Sequence, residues 1–388
     1  MSVDKTIFYI TIILITIGVV FSYSLSTYAT ISRYETSQFH FLIRQGMAAF
    51  AAIFMIWGLS RLDPDRWFKP IGFSLFIFFL FLMTIMHFLP PSLVTAVGGA
   101  KRWIHLPFYS IAPVEFFKVG FIFFLAWSFS RKIDATHRTL LEEVRLFAPY
   151  IFVFGIVVYL IAIMQNDIGQ VIVLGSALVV MGFMAGTSTR FFMLSIIGAI
   201  AVFVVAIATS EHRVLRIKYW WSSAQNYILS FLPESLASVL RVHDVEEAYQ
   251  TNRSLDAIAH GGLFGTGLGN GTLKLGYLTE VHTDFVLAGI AEEIGLVGIV
   301  VILALFFVLI FRIFRIANRS SDRIYSLFAL GIGVMLSASL FINAFGITGL
   351  TPVKGLAVPF LSYGGSALLA HAIAIGMVLM IGKKVEKV

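Results

Sequence analysis

His282-Thr283-Asp284 stands where a long polar stretch meets an apolar run. A carboxylate at such a junction can take a proton from a substrate hydroxyl as a general base. It can also do something plainer, because a Thr or Asp oxygen just ahead of a helix accepts from the orphan N–H groups of the first turn. Both readings stay open, and one residue can serve both. Glu292 and Glu293 follow inside the apolar run, where ionisable groups are costly and face a cavity or a partner. They lie about 80° and 180° round the helix from Asp284, so the three carboxylates share no narrow face and one of them reads as structural.

Other charged residues stand at similar places. Glu115 and Lys118, at i and i+3, can pair on one helix face, either to shape a site or merely to neutralise each other so that the helix inserts. Lys101-Arg102-Trp103 puts two cations beside an interfacial aromatic, a combination suited to a phosphate. The stretch from Gly349 to Gly365 holds Pro352, Lys354, Pro359, Ser362 and Tyr363. Irregular backbone at membrane depth is tolerated only when protein or a water-filled cavity surrounds it, which argues for a cavity there. The run GGLFGTGLGNG, 261 to 271, lacks the GK[ST] ending of a phosphate loop and follows no strand, so tight turns explain it better than a nucleotide site. The nine histidines show no metal-ligand spacing and there is no cysteine, which removes thiolate and Cys-based metal chemistry. A divalent cation such as magnesium or manganese, held loosely between a carboxylate and a substrate phosphate, needs no such motif.

These residues need a scaffold, and composition names its kind. Of 388 residues 59% are hydrophobic and 13% charged, and mean hydropathy is +0.91. A soluble fold could not bury so much apolar surface. Apolar runs near 6 to 27, 42 to 60, 71 to 90, 113 to 129, 147 to 165, 167 to 186, 190 to 209, 284 to 311, 325 to 348 and 357 to 382 predict an all-α polytopic membrane protein of about ten transmembrane helices. The first run lacks a small-x-small cleavage site and is kept as a helix. The division between 147 to 165 and 167 to 186 rests on the short polar break at Gln165 to Asp167.

Arg61, Arg66 and Lys69, then Arg131 and Lys132, Arg190, Arg312 to Arg323, and Lys383 and Lys384 fall on one side, which the positive-inside rule makes cytoplasmic. Both termini are then inside, and residues 210 to 283 form a large extracytoplasmic loop between helices seven and eight. Its first half, with Arg213, Arg216, Lys218, Tyr219, Trp220 and Trp221, reads as an interfacial amphipathic helix or as an aromatic belt. The formal charge of +7 belongs to helix ends that set topology and meet anionic headgroups, so no nucleic acid is expected as a partner. Unaided, the residues fit a transporter and a lipid-processing enzyme equally.

At these same residues the chain resembles the SEDS family (shape, elongation, division and sporulation) of peptidoglycan polymerases. The resemblance runs in order through Ala-Lys101-Arg102-Trp103-Ile, Glu115-Phe-Phe-Lys118, Gln165-Asn-Asp167-Ile-Gly169, Gly265-Thr-Gly-Leu-Gly-Asn270-Gly, Lys274-Leu-Gly-Tyr-Leu, His282-Thr283-Asp284-Phe, Glu292-Glu293-Ile-Gly and Pro359-Phe-Leu-Ser362-Tyr363-Gly364-Gly365. Lys274-Leu-Gly-Tyr-Leu and Pro352-Val-Lys354-Gly look more like the division members than the elongation members. Asn166 stands where the family usually has proline, Val114 where serine is usual, and Thr279 where a proline precedes Glu280.

The resemblance implies a single SEDS-type domain over 1 to 388, in the cytoplasmic (inner) membrane with its active site facing outside. It implies an inverting glycosyltransferase that polymerises lipid II during septal wall synthesis. A class B penicillin-binding protein would be its transpeptidase partner, among other division-machinery membrane proteins. The aspartate matching Asp284 is the family's essential one. It would deprotonate the acceptor GlcNAc 4-hydroxyl for attack on C1 of the donor MurNAc. Substrate contacts are expected from Lys101, Arg102, Trp103, Glu115, Lys118, Lys274, His282, Thr283, Lys354, Ser362 and Tyr363. Cations among Lys101, Arg102, Lys118 and Lys354 would meet the departing pyrophosphate. A lipid II flippase is the rival, with Glu292 and Glu293 as its only visible charge path across the membrane.

Overall fold

A computed structural model describes residues 4–32, 37–95, 100–106, 109–133, 139–208, 211–230, 233–241 and 249–385. Backbone amides that meet hydrocarbon must be satisfied within their own segment, so the apolar runs become helices. These are α1 (Lys5–Ser32), α2 (His40–Arg61), α3 (Pro64–Ile85), α4 (Pro113–Lys132), α5 (Leu140–Val158), α6 (Ile168–Met184), α7 (Thr189–Ala208), α8 (Glu211–Leu229), α9 (Glu234–Leu240), α10 (Tyr249–Gly261), α11 (Val286–Arg319), α12 (Arg323–Ile347) and α13 (Gly365–Gly382). Among the described residues eight helices are long and apolar enough to cross a membrane, and Ile168–Met184 and Thr189–Val205 are shorter apolar helices.

Helix starts are written locally. The Asp63 carboxylate accepts from Asp65 N ahead of α3, Thr139 and Glu142 form a capping box on α5, and Asp322 accepts from Ile324 N at α12. The polar break at Gln165 to Asp167 is where the backbone is irregular. After α5 the chain makes a π-helical turn, Tyr159–Met164, breaks at Gln165 to Asp167, and restarts as α6 with Asp167 as its N-cap. Asn166 sits at φ +49° in that break. A proline, locked near −65°, could not adopt this angle, so the departure from the family pattern marks a different turn.

Helix α4 is central, with most of its residues buried. It can approach α3 closely because Gly120 lacks a side chain: a Cβ there would sit 2.3 Å from Phe76 N. A two-stranded hairpin, Ile104–His105 with Ser110–Ile111, precedes α4. The 210 to 283 segment contains α8, α9 and α10 and ends in turns; residues 210, 231–232 and 242–248 of it lie outside the described residues. The tryptophans of α8 are tied to protein backbone: Trp220 Nε1 donates to Gly349 O at 2.7 Å and Trp221 Nε1 to Leu240 O at 2.8 Å.

Helix α11 is broken at Gly295 (φ 66°, ψ −172°), and the glycine-rich run mends the break. Thr266 N and Gly267 N donate to Glu292 O and Glu293 O, while Gly262 O and Leu263 O accept from Leu296 N and Val297 N. Side chains complete the closure. The Glu292 carboxylate accepts from Thr272 N at 2.7 Å and Leu273 N at 3.1 Å, and pairs with His260 at 3.0 Å. Glu293 pairs with Lys274 at 2.7 Å and accepts from Ser24 Oγ. Both carboxylates are therefore structural. They are consumed by the 261–275 turn, and the flippase reading loses the charge path on which it depended.

Candidate functional site

A cavity of about 490 Å³ gathers residues that are far apart in the chain. Arg44 and Gln45 come from α2, Arg102, Trp103 and Tyr109 from the segment around the hairpin, and Glu115 from the first turn of α4. Asp167 and Gln170 come from the start of α6, Thr283 and Asp284 from the approach to α11, and Gly355, Tyr363 and Gly364 from the irregular turn before α13.

Asp284 is fixed by its backbone, which leaves its carboxylate for the cavity. Asn343 Nδ2 donates to Asp284 O and to Leu356 O, both at 2.7 Å, so one α12 side chain joins the two loops. Ser362 Oγ donates to Thr283 O at 2.6 Å, and Tyr363 N donates to His282 O at 2.9 Å. Gly355 (φ +62°) lies so close that a Cβ there would be 2.9 Å from Asp284 Oδ2. The capping alternative is not realised. Phe285 is the N-cap of α11 and no side chain caps that helix, while the Thr283 hydroxyl donates to Glu280 Oε2 at 3.0 Å.

Burial lifts the Asp284 carboxyl to about 6, helped by Glu280 and Asp167 and opposed by Arg102 and Arg216. A carboxylate near this value is a stronger base than an exposed one and is still ionised at neutral pH. Asp167 is also raised, by burial first, with Arg102 the main opposing charge. Arg102 braces the helix break as well. Its Nε donates to Gln165 O and its Nη2 to Asn166 O, both at 2.8 Å, so it satisfies carbonyls that the break leaves free.

The expected site residues separate into two groups. Arg102, Trp103, Glu115, Thr283, Asp284 and Tyr363 line the cavity. Lys118 sits behind Glu115, paired with it at 2.8 Å, and Gln170 Nε2 donates to the same carboxylate at 2.9 Å. Lys101 turns away to donate to His87 O at 3.1 Å. Lys274 is buried at the Glu293 carboxylate, where a flexible ammonium is better used neutralising a buried acid than reaching for substrate. His282 is buried, its ring packed against Phe41 and Tyr363 with centroids 5.2 and 5.9 Å away. Ser362 is a staple, accepting from Val358 N while donating to Thr283 O. Lys354 stands over the Phe203 ring at 5.3 Å, outside the cavity lining.

The structure adds Arg44, Gln45 and Asp167 to the cavity. Arg44 is a cation at the end of α2 opposite the basic loops, which is the anomaly that singled out Lys101 and Arg102. Asp167 was visible as the one acid at the break between two apolar runs.

The profile of the FtsW/RodA/SpoVE family, described as cell cycle proteins, matches residues 4–387. The chain is 52% identical over 384 residues to a probable peptidoglycan glycosyltransferase FtsW of Helicobacter pylori, covering 99% of each chain. It is 34% identical to one of Trichlorobacter lovleyi, covering 97% of this chain and 92% of that one. Its fold matches a chain of a peptidoglycan synthase complex in which polymerization and crosslinking are coordinated, with TM-score 0.72 at 22% identity over 99% of this chain and 98% of that one. It also matches the rod shape determining protein RodA of Thermus thermophilus, with TM-score 0.66 at 22% identity over 100% and 99%. These two similarities concern fold alone.

Proposed function

The chain belongs to the FtsW/RodA/SpoVE family of cell cycle proteins, and from that premise we propose that it is a peptidoglycan glycosyltransferase that polymerises lipid II, with Asp284 as general base. The observation that carries this reading is the placement of the raised Asp284 carboxylate in a cavity that also presents two arginines, Arg44 and Arg102. Asp284 takes the proton of the acceptor GlcNAc 4-hydroxyl, whose oxygen attacks C1 of the donor MurNAc. The C1–O bond to the polyprenyl diphosphate breaks and the configuration at C1 inverts. Diphosphate is a good leaving group and needs no acid; it needs counter-charge, which Arg44 and Arg102 supply through charge-assisted hydrogen bonds. These two replace the lysines as the cations best placed to supply it. A divalent cation, magnesium or manganese, would enter with the diphosphate, and Asp167 and Asp284 are the carboxylates lining the cavity that would face it.

Identity to division-type relatives supports a septal role over an elongation role. A class B penicillin-binding protein as transpeptidase partner is supported by the fold match to a synthase complex. A reaction at the outer face of the cytoplasmic membrane is supported by the basic loops, which lie at the opposite helix ends from Asp284.

Purified protein in lipid nanodiscs, given lipid II, is expected to form glycan strands; lipid II that remains monomeric would remove the proposal. Two further outcomes follow. Initial rates of strand synthesis should fall about tenfold per pH unit below about 6, because protonation of a carboxyl raised to about 6 removes the base. Replacing Asp167 by Asn should move that limb to lower pH, since a raising charge is lost. A limb near pH 4 in the wild type would show that the base is not a raised carboxyl. The orientation is testable because the chain has no cysteine. Phe264, 80% exposed on the glycine-rich turn, when changed to Cys should react with a membrane-impermeant maleimide in intact cells. Labelling only after lysis would reverse the topology.

A further inference from the structure

Outside the cavity lining, but next to it, three more cations collect. Lys354 immediately precedes Gly355, whose backbone packs on the Asp284 carboxylate. Arg213 and Arg216 come from α8. Arg213 is anchored: its Nη2 donates to Ala162 O at 2.5 Å and to Asn166 Oδ1 at 3.2 Å, beside Asp167. Arg216 and Lys354 form no ion pair or hydrogen bond among the described residues. Burial, then Arg216 and Arg213, hold the Lys354 amine below its ordinary range, so the three charges feel one another. Arg216 also reaches Asp284 electrostatically, as Arg102 does from the cavity. Topology gives no reason for this cluster, because the positive-inside rule draws cations to the other end of the helices. Like charges held together at a rim are relieved by an anion.

The proposed reaction needs two anion sites. Both substrates carry a polyprenyl diphosphate, but at different distances from the bond being made. The donor's diphosphate is attached to the carbon under attack and so lies in the cavity with Asp284. The acceptor's diphosphate is separated from its reacting 4-hydroxyl by a whole disaccharide and must lie beyond the cavity wall.

We propose that Arg213, Arg216 and Lys354 form a second lipid-diphosphate site that holds the acceptor substrate, while Arg44 and Arg102 hold the donor. Arg213 shapes the site from its anchorage on the helix break; Arg216 and Lys354 reach the phosphates. The inference rests on the polymerase reading and concerns only which substrate is held where.

An Asp284→Asn background, which stops turnover and removes the coupling of Arg216 to Asp284, allows binding to be counted. In phosphatidylcholine nanodiscs it should bind two equivalents of labelled lipid II. Adding Arg216→Gln and Lys354→Gln should weaken one of them by about tenfold or more and leave the other unchanged. With Asp284 intact, at pH 8, the same pair should raise the KM for lipid II about tenfold with kcat nearly unchanged, and Lys354→Arg should keep the wild-type KM. Two equivalents and a wild-type KM in the double variant would overturn the inference. So would a double variant altered only in its response to added phosphatidylglycerol, which would make the cluster a headgroup anchor. Failure of the polymerase reading looks different: strands would be absent, or would form without Asp284.

Discussion

Asp284→Asn is expected to cut glycan-strand synthesis by about 10²- to 10⁴-fold, the range lost when a positioned general base is removed, while lipid II still binds. The amide fills the same space and the backbone bonds of Asn343 and Ser362 to residues 284 and 283 remain. The variant should also be the more stable protein. The fold lifts this carboxyl from 3.8 to about 6, so the folded state disfavours the ionised form. Asp284 therefore destabilises the fold at neutral pH, and the penalty disappears as pH falls from about 6 to below 4. A higher midpoint of thermal unfolding than wild type at pH 7.5, converging at low pH, would accompany the lost activity. A lower midpoint at pH 7.5 would mean that the loss reflects damage to the fold.

Gly265→Ala should do its damage through the fold. Gly265 has φ +80° and carries a would-be Cβ 2.2 Å from Glu293 O, where backbone cannot yield. The left-handed backbone costs about 1 kcal/mol or more, and the steric conflict adds about 1–3 kcal/mol. Because this turn closes the break in α11, the 261–275 segment and the helix should loosen together. Gly262→Ala is the control, with φ +51° and nothing within 4 Å of its Cβ, and should cost only the backbone contribution. Thermal stability in detergent checks the pair, and equal losses would show that the docking of the turn on α11 is unimportant.

Much of the scaffold was legible because hydrocarbon leaves the backbone few choices. Ten apolar stretches appear close to where hydropathy put them, and the cavity lies beneath the proline- and glycine-rich turn whose composition called for one. Side-chain destinations were harder to read. Lys101, Lys118 and Lys274 looked like substrate cations because a sequence gives charge without direction. In the fold each meets a partner: a carbonyl for Lys101, Glu115 for Lys118, Glu293 for Lys274. Arg44 was counted as part of a span, although its charge at that end was as unexplained as that of Arg102. Glu292 and Glu293, suspect as intramembrane acids, close a helix break that no periodicity reveals, since the apolar run continues through Gly295.

The most direct test of the central claim is strand formation from labelled lipid II by purified wild type and Asp284→Asn side by side, in nanodiscs at pH 7.5. Long strands from the wild type and none from a folded, lipid II-binding Asp284→Asn protein are expected. Comparable strands from both would contradict the assignment of Asp284 as the base.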